Sequence, residues 1–522
     1  MEPTLSPLSK VLIETFEKDE LPNHDKKITV NRLISEVASW YEKIRTVMDY
    51  REEAVILRAS IERILKRRLI LGGTGKTIAS PLLRELIWAR YFPDASVPES
   101  IIEKIANSID LHLKFKEKIL EKTAVSDKTI DKFVKELMSA DIEKILNPNK
   151  EKEAMTNFMF HVLKDSVAIE DDTKETRDAQ VFISVLKAFS RDDLAFLHFR
   201  LFRQYFGILT WENIDETAQN FNRGFEEIGK QLNYKRKDRI FNYIKKQTPP
   251  FLILDDILRK HKGNFKELIK TSGELPRLVF EDCSYRYDGI SSSIRRAIIR
   301  SFIFILLTKA FFALSVEGTY DRVVYGHIIW SSIALNIFIP PTIMALAGFM
   351  IKKPGDDNSK RILSKVEIIL FEEKPRLAPP ISVRLTKDTS KPMHDFIFSV
   401  LWFLAFVMSF GGIISLLTKL QFNIVSQAIF IFFLTIIAFL TYRINQIAHT
   451  YSVGEKQSMT TPIVDFLFMP VVRVGRRLTE GISQINLFLF FLDFVFETPF
   501  KGIFAFFEQW FLFLHAKREE LE

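Results

Sequence analysis

From Met1 to about Asp288 the chain mixes charged residues with apolar ones at helical spacing, and after Arg300 the apolar runs lengthen. A membrane-spanning helix needs about 20 mostly apolar residues, because each adds about 1.5 Å across a core of about 30 Å. Four segments reach that length: 297–316, 325–351, 396–417 and 422–444. The second holds Pro340-Pro341, which predicts a kink, since two backbone donors are missing. The third carries Ser409, Gly411 and Gly412, small residues that let another helix approach.

The first 290 residues read as an all-helical domain. Over 29–68 apolar residues recur in a stripe that slips register near Ala54, which favours a bent helix in a bundle. Ser80-Pro81, Ser126, Asp192 and Thr248 have the chemistry of helix starts, and Ser96 to Glu99 has the spacing of a capping box. No series of β-branched runs alternates with these helices, so no parallel sheet is expected. The expected fold class is therefore all-α: a helical domain over 1–290, a membrane domain over 291–444 and a tail over 445–522. Within the 352–395 loop, VEIILFEE and PPISVRLTKD flank Lys374-Pro375 and are read as a small β-hairpin or as irregular surface loop. The phenylalanine-rich tail is interrupted by Asp493, Glu497, Pro499, Lys501 and Glu508, which predicts interfacial helices hinged at Pro499.

Charge placement says more than the formal net charge of +8. Arg295, Arg296 and Arg300 precede the first span, Lys352 to Lys365 follow the second, and Arg473, Arg476 and Arg477 lie beyond the fourth. The first outer loop, EGTYDRVVYG, has Glu317 and Asp321 against Arg322. Basic residues near span ends mark the cytoplasmic side, so both termini are expected there, in a bacterial inner membrane. The first twenty residues are acidic and lack an apolar core, so no signal peptide is expected. The single cysteine, Cys283, excludes an internal disulfide framework.

Candidate chemistry is sparse. Gly72-Gly73-Thr74-Gly75-Lys76-Thr77 looks like a phosphate loop, and Phe251 to Asp256 like a strand ending in a magnesium carboxylate, Asp255. The strict pattern needs glycine at position 70, which is Ile70, and Pro81 would fall in the second turn of a helix begun at Lys76. A site on Gly75, Lys76, Thr77 and Asp255 is thus a minor reading beside a glycine turn between helices, and nucleotide is not expected. Lys309 lies deep in the first span, with Glu317 two steps of four beyond it and expected on the same face, and His327 and Asn336 as candidate partners. An ionisable residue at that depth is a functional candidate by default, against a structural pair that holds the bundle together. Lys235, Arg236, Lys237 and Arg239 interleave with aromatic residues, a pattern suited to lipid headgroups, as are Arg473, Arg476 and Arg477. Nucleic acid is not expected as a partner. Nor is a catalytic residue, a metal site or a cofactor.

At LLTKAFFALSVEGTYD, Leu306 to Asp321, the chain resembles uncharacterised bacterial multi-pass membrane proteins with a large helical cytosolic N-terminal region. The resemblance implies that architecture and no assigned activity. The expected function is a non-enzymatic membrane scaffold or assembly factor, with the lipid bilayer and protein partners or a homo-oligomer around it. A channel or transporter using an intramembrane lysine is the alternative, and a phosphate-loop ATPase ranks below both.

Overall fold

The computed structural model describes residues 4–483 except 18–24, 33, 34, 37, 41, 44–54, 71, 124, 329, 352, 385–391 and 455–460, with 506, 510, 513 and 514 beyond. The described residues are 78% helix and 2% strand, which places them in the all-α class. It divides into two compact units. The first comprises Met1–Thr4, Lys246–Phe371 and Thr386–Ile485, and the second Leu5–Lys245, Glu372–Leu385 and Asn486–Glu522.

The second unit holds α1 (Pro7–Glu17), α2 (Ile56–Ile70), α3 (Gly75–Trp88), α4 (Ser100–Leu120), α5 (Asp127–Leu146) and α6 (Lys150–Leu163). Strand β1 (Val167–Ile169), α7 (Lys174–Val185), α8 (Leu194–Phe206), α9 (Ile214–Leu232) and α10 (Lys237–Gln247) follow. Among the described residues two large apolar cores stand out. Phe115, Phe133, Phe202 and Phe221 meet edge to face at 5.5 to 6.4 Å around one, an arrangement worth more than area burial alone. Aliphatic residues of α2, α3, α4 and α5, among them Leu65, Leu82, Leu86 and Ile109, form the other.

The first unit contains α11 (Pro249–Lys260), α12 (Phe265–Leu268) and α13 (Glu274–Phe312). Helix α13 runs through a π turn at Ala313–Glu317 into α14 (Gly318–Val324), so the expected outer loop is helical up to Val324. Then come α15 (Trp330–Met350), α16 (Asp356–Phe371), α17 (Pro392–Lys419), α18 (Ile424–Ala448) and α19 (Thr461–Ser483).

Among the described residues three helices are long and apolar enough to cross a membrane: Glu274–Val324, Phe396–Lys419 and Ile424–Ala448. Their outward faces carry Phe304, Leu307, Phe311, Phe396 and Phe403, each more than half exposed, an apolar density of the kind that marks a membrane or protein-contact surface. The remaining apolar helix, α15, contains Pro340 and Pro341, and its apolar stretch Ile333–Leu346 is shorter. Gly348 lets α15 close on α13, because a Cβ there would lie 2.5 Å from Ile298.

Of the two readings of the 352–395 loop, the hairpin between its two runs is not formed among the described residues. Residues Val366 to Phe371 continue α16, where Ile362, Val366, Ile369 and Leu370 bury one helical face. Strand β2 (Ile381–Val383) pairs instead, in parallel, with β1, Val167 opposite Ile381 and Ile169 opposite Val383. The partner lies some 210 residues earlier in the chain, beyond the reach of a local pattern. The stripe over 29–68 is described in part, with 56–68 in α2, and most of the phenylalanine-rich tail lies outside the described residues.

Candidate functional site

Lys309, Glu317 and Asn336 meet at one point inside the first unit, all fully buried. Eight residues of ideal helix would leave Lys309 and Glu317 about 80° apart around the axis. The π turn at Ala313–Glu317 takes one residue more per turn and rewinds that offset, so both side chains reach the same face. Lys309 Nζ lies 3.6 Å from Glu317 Oε1 and 5.0 Å from the centre of the Phe433 ring. Glu317 Oε2 accepts from Asn336 Nδ2 on α15 at 2.5 Å and from Ser426 Oγ on α18 at 3.0 Å. One carboxylate therefore ties three helices. Three polar atoms of the cluster make no hydrogen bond: Lys309 Nζ, Glu317 Oε1 and Asn336 Oδ1. Unsatisfied polar atoms in a dry site are costly, and each calls for a reason.

One turn beyond, Asp321 is also buried and accepts from Asn423 Nδ2 at 2.8 Å, while Asn423 Oδ1 caps α18 through the Ser426 amide at 2.7 Å. The chain pattern gave two signals for this extension: Asp321 follows Glu317 by one helical step of four, and Asn423 precedes an apolar run. His327 is not brought to the cluster. It is exposed in the turn before α15, its Nδ1 3.0 Å from the Tyr325 carbonyl.

The glycine-rich loop belongs to the second unit, and its start requires a correction. Helix α3 begins at Gly75 with Pro81 inside it, not at Ser80-Pro81. Thr77 Oγ1 accepts from the Thr74 amide at 2.9 Å, the return half of a capping box, which fixes the start despite the proline. A phosphate cradle needs free amides, and here they are engaged. The amides of Gly72 and Gly73 bond Leu69 and Arg68 carbonyls, and that of Gly75 donates to Asp110 Oδ1 at 2.7 Å. Asp110 places a carboxylate where an anion would sit, and a Cβ at Gly75 would lie 2.1 Å from the Ala106 carbonyl oxygen. Helix α2, not a strand, precedes the loop. Asp255 is on helix α11 of the other unit and pairs with Arg259 at 2.8 Å.

Of the basic residues, Lys235 and Arg239 are exposed, and Arg236 Nε donates to the Arg384 carbonyl at 3.2 Å. Lys237 opens α10 and donates to the Leu232 carbonyl at 2.7 Å. Arg473, Arg476 and Arg477 are exposed on α19, which packs along two apolar helices. Arg473 stands over Trp402 of α17, and Gly475 lies against the Thr435 carbonyl near the middle of α18. Among the described residues no group of histidine, cysteine and carboxylate side chains is arranged to hold a metal. Comparison with protein-family models, curated proteins and solved structures finds no match in any of the three.

Proposed function

We propose that the chain is a multi-pass membrane protein that acts as a scaffold or assembly factor for other proteins and catalyses no reaction of its own. In this reading α13, α15, α17 and α18 make four crossings of a bacterial inner membrane, with both termini cytoplasmic. Support for that orientation comes from Arg295, Arg296 and Arg300 and from Lys353, Lys360, Arg361 and Lys365. Arg473, Arg476 and Arg477 do not count toward it, since α19 packs at mid-length on its neighbours.

The observation that carries the scaffold reading is Glu317 bonded to α15 and α18 while facing Lys309, with no part of the pair exposed. A sealed charge pair locks helices together, whereas a transport path must open to water on each side in turn. Native extraction in mild detergent should bring down stable protein partners. Recovery of the chain alone under those conditions would overturn the proposal.

A second reading is favoured by one feature, the three hydrogen-bonding atoms of the cluster left without partners. In it Lys309 and Glu317 pass a proton or small cation across the membrane. Reconstituted vesicles would then show a flux that disappears in Lys309→Ala, and equal flux in both proteins removes the reading.

A further inference from the structure

The basic and aromatic segment that opens α10 borders a cavity of about 600 Å³ in the second unit, between α7, α8, α9 and α10. That size suits a small organic ligand. Its floor is apolar, formed by Ile183, Leu197, Phe225 and Ile228. Two kinds of charge border it, and they differ in how far they are already satisfied.

The acidic side is closed. Asp192 Oδ2 accepts from Arg200 Nε at 2.8 Å, and Asp193 Oδ2 from Arg58 Nη2 at 2.6 Å. The basic side is open. Lys187 Nζ rests over the Phe241 ring at 5.2 Å, and Lys237 Nζ has only the Leu232 carbonyl. Neither lysine has a carboxylate partner among the described residues. Lys187 is also placed by unusual backbone. It lies in a π turn, Leu186–Ser190, closed by Arg191 at φ +56°, a left-handed conformation rare for a residue with a side chain. Strain of this kind persists where the surroundings hold it, and it collects at ligand sites.

We infer that this cavity binds a small apolar anion, an aryl or short acyl group bearing a carboxylate or phosphate. The apolar body lies on the Ile183, Phe225 and Ile228 floor, and the anionic head takes Lys187 and Lys237. Two ammonium groups without a carboxylate partner supply charge-assisted hydrogen bonds, and the acids opposite already have guanidinium partners in Arg200 and Arg58. The inference is independent of the membrane cluster and of the scaffold reading.

The test is isothermal titration of the full chain in lipid nanodiscs, with empty nanodiscs as blank, against phenyl phosphate, octanoate and inorganic phosphate. Saturable binding of phenyl phosphate or octanoate is expected, and the tighter of the two identifies an aryl or an acyl source. A Lys187→Gln, Lys237→Gln double variant should bind about a hundredfold more weakly, since each of the two charge-assisted bonds lost counts for about tenfold. Lys187 is exposed and Lys237 half-buried, and neither pairs with a carboxylate among the described residues, so an unchanged melting temperature should accompany the loss. The inference fails if neither organic anion saturates, if the double variant binds as the parent does, or if inorganic phosphate binds as tightly as both.

Discussion

At the scale of single residues, Glu317 does the most. It is bonded by Asn336 and Ser426 and faces Lys309, so its removal leaves a buried ammonium without a counter-charge. Breaking a buried pair from one side costs about 3–5 kcal/mol, more than the pair contributes as a whole. Glu317→Ala should therefore lower the melting temperature of the detergent-solubilised chain sharply. Glu317→Gln combined with Lys309→Met, which removes both charges, should restore most of it. Equal melting temperatures for Glu317→Ala and the parent would show that the pair carries no structural load.

Glu143 on α5 offers a test in the second unit. Burial, opposed in part by Arg58 and Lys152, pushes its carboxyl up from 4.5 to about 7. Below pH 4.5 the group is protonated whether the chain is folded or not. As pH rises toward 7 the unfolded chain ionises it freely and the folded chain does not, so stability falls, by up to about 3 kcal/mol. Glu143→Gln should flatten the decline in melting temperature between pH 4.5 and 7.5. A parallel decline in both proteins would place the effect elsewhere.

At the scale of elements, the chain pattern located helices well and their first residues less well. Ser126 and Thr248 do begin helices, with Pro249 at the first helical position of α11. The cap expected at Asp192 is Asp193, whose carboxylate takes the Phe196 amide at 3.0 Å. Two neighbouring aspartates offer the same chemistry, and only the fold assigns one to the cap and the other to Arg200. Pro81 errs in the opposite sense. Its missing donor argues for a start at Ser80-Pro81, but Thr77 and Asp110 together anchor the helix a turn and a half earlier. Register within α13 was illegible as well, because a π turn has no compositional signature to announce it. Helix α19 supplies the prediction at this scale. A Cβ on Gly475 would lie 1.9 Å from the Thr435 carbonyl oxygen, so Gly475→Leu must push α19 off α18. Limited proteolysis should then cut within 461–483 of the variant faster than of the parent, and an identical cleavage pattern would refute the packing.

For the whole molecule, the order of apolar helices leads to a topology that can be measured. Cys283 is the chain's one cysteine and is buried, so new cysteines report with little background. In the proposed orientation, His327→Cys should react with an impermeant maleimide added outside intact cells. Lys360→Cys should react only after the membrane is opened. The reverse order would invert the orientation drawn from the basic clusters, and reaction of both from outside would refute a crossing between the two positions.

What the sequence determined by itself is the class and the membrane character. Helical spacing and long apolar runs are local properties, fixed by hydrogen bonding within a segment and by the length of hydrocarbon it must cross. The pairing of β1 with β2, the carboxylate over the Gly75 amide and the convergence of Lys309, Glu317, Asn336 and Ser426 were decided only by tertiary structure. Each joins residues between 19 and 214 positions apart or depends on one extra residue in a turn, and no local pattern of polar and apolar side chains encodes such distances. The lysine at 309 was visible from its depth in an apolar run. Its counter-charge became certain only when the π turn rotated Glu317 onto the same face.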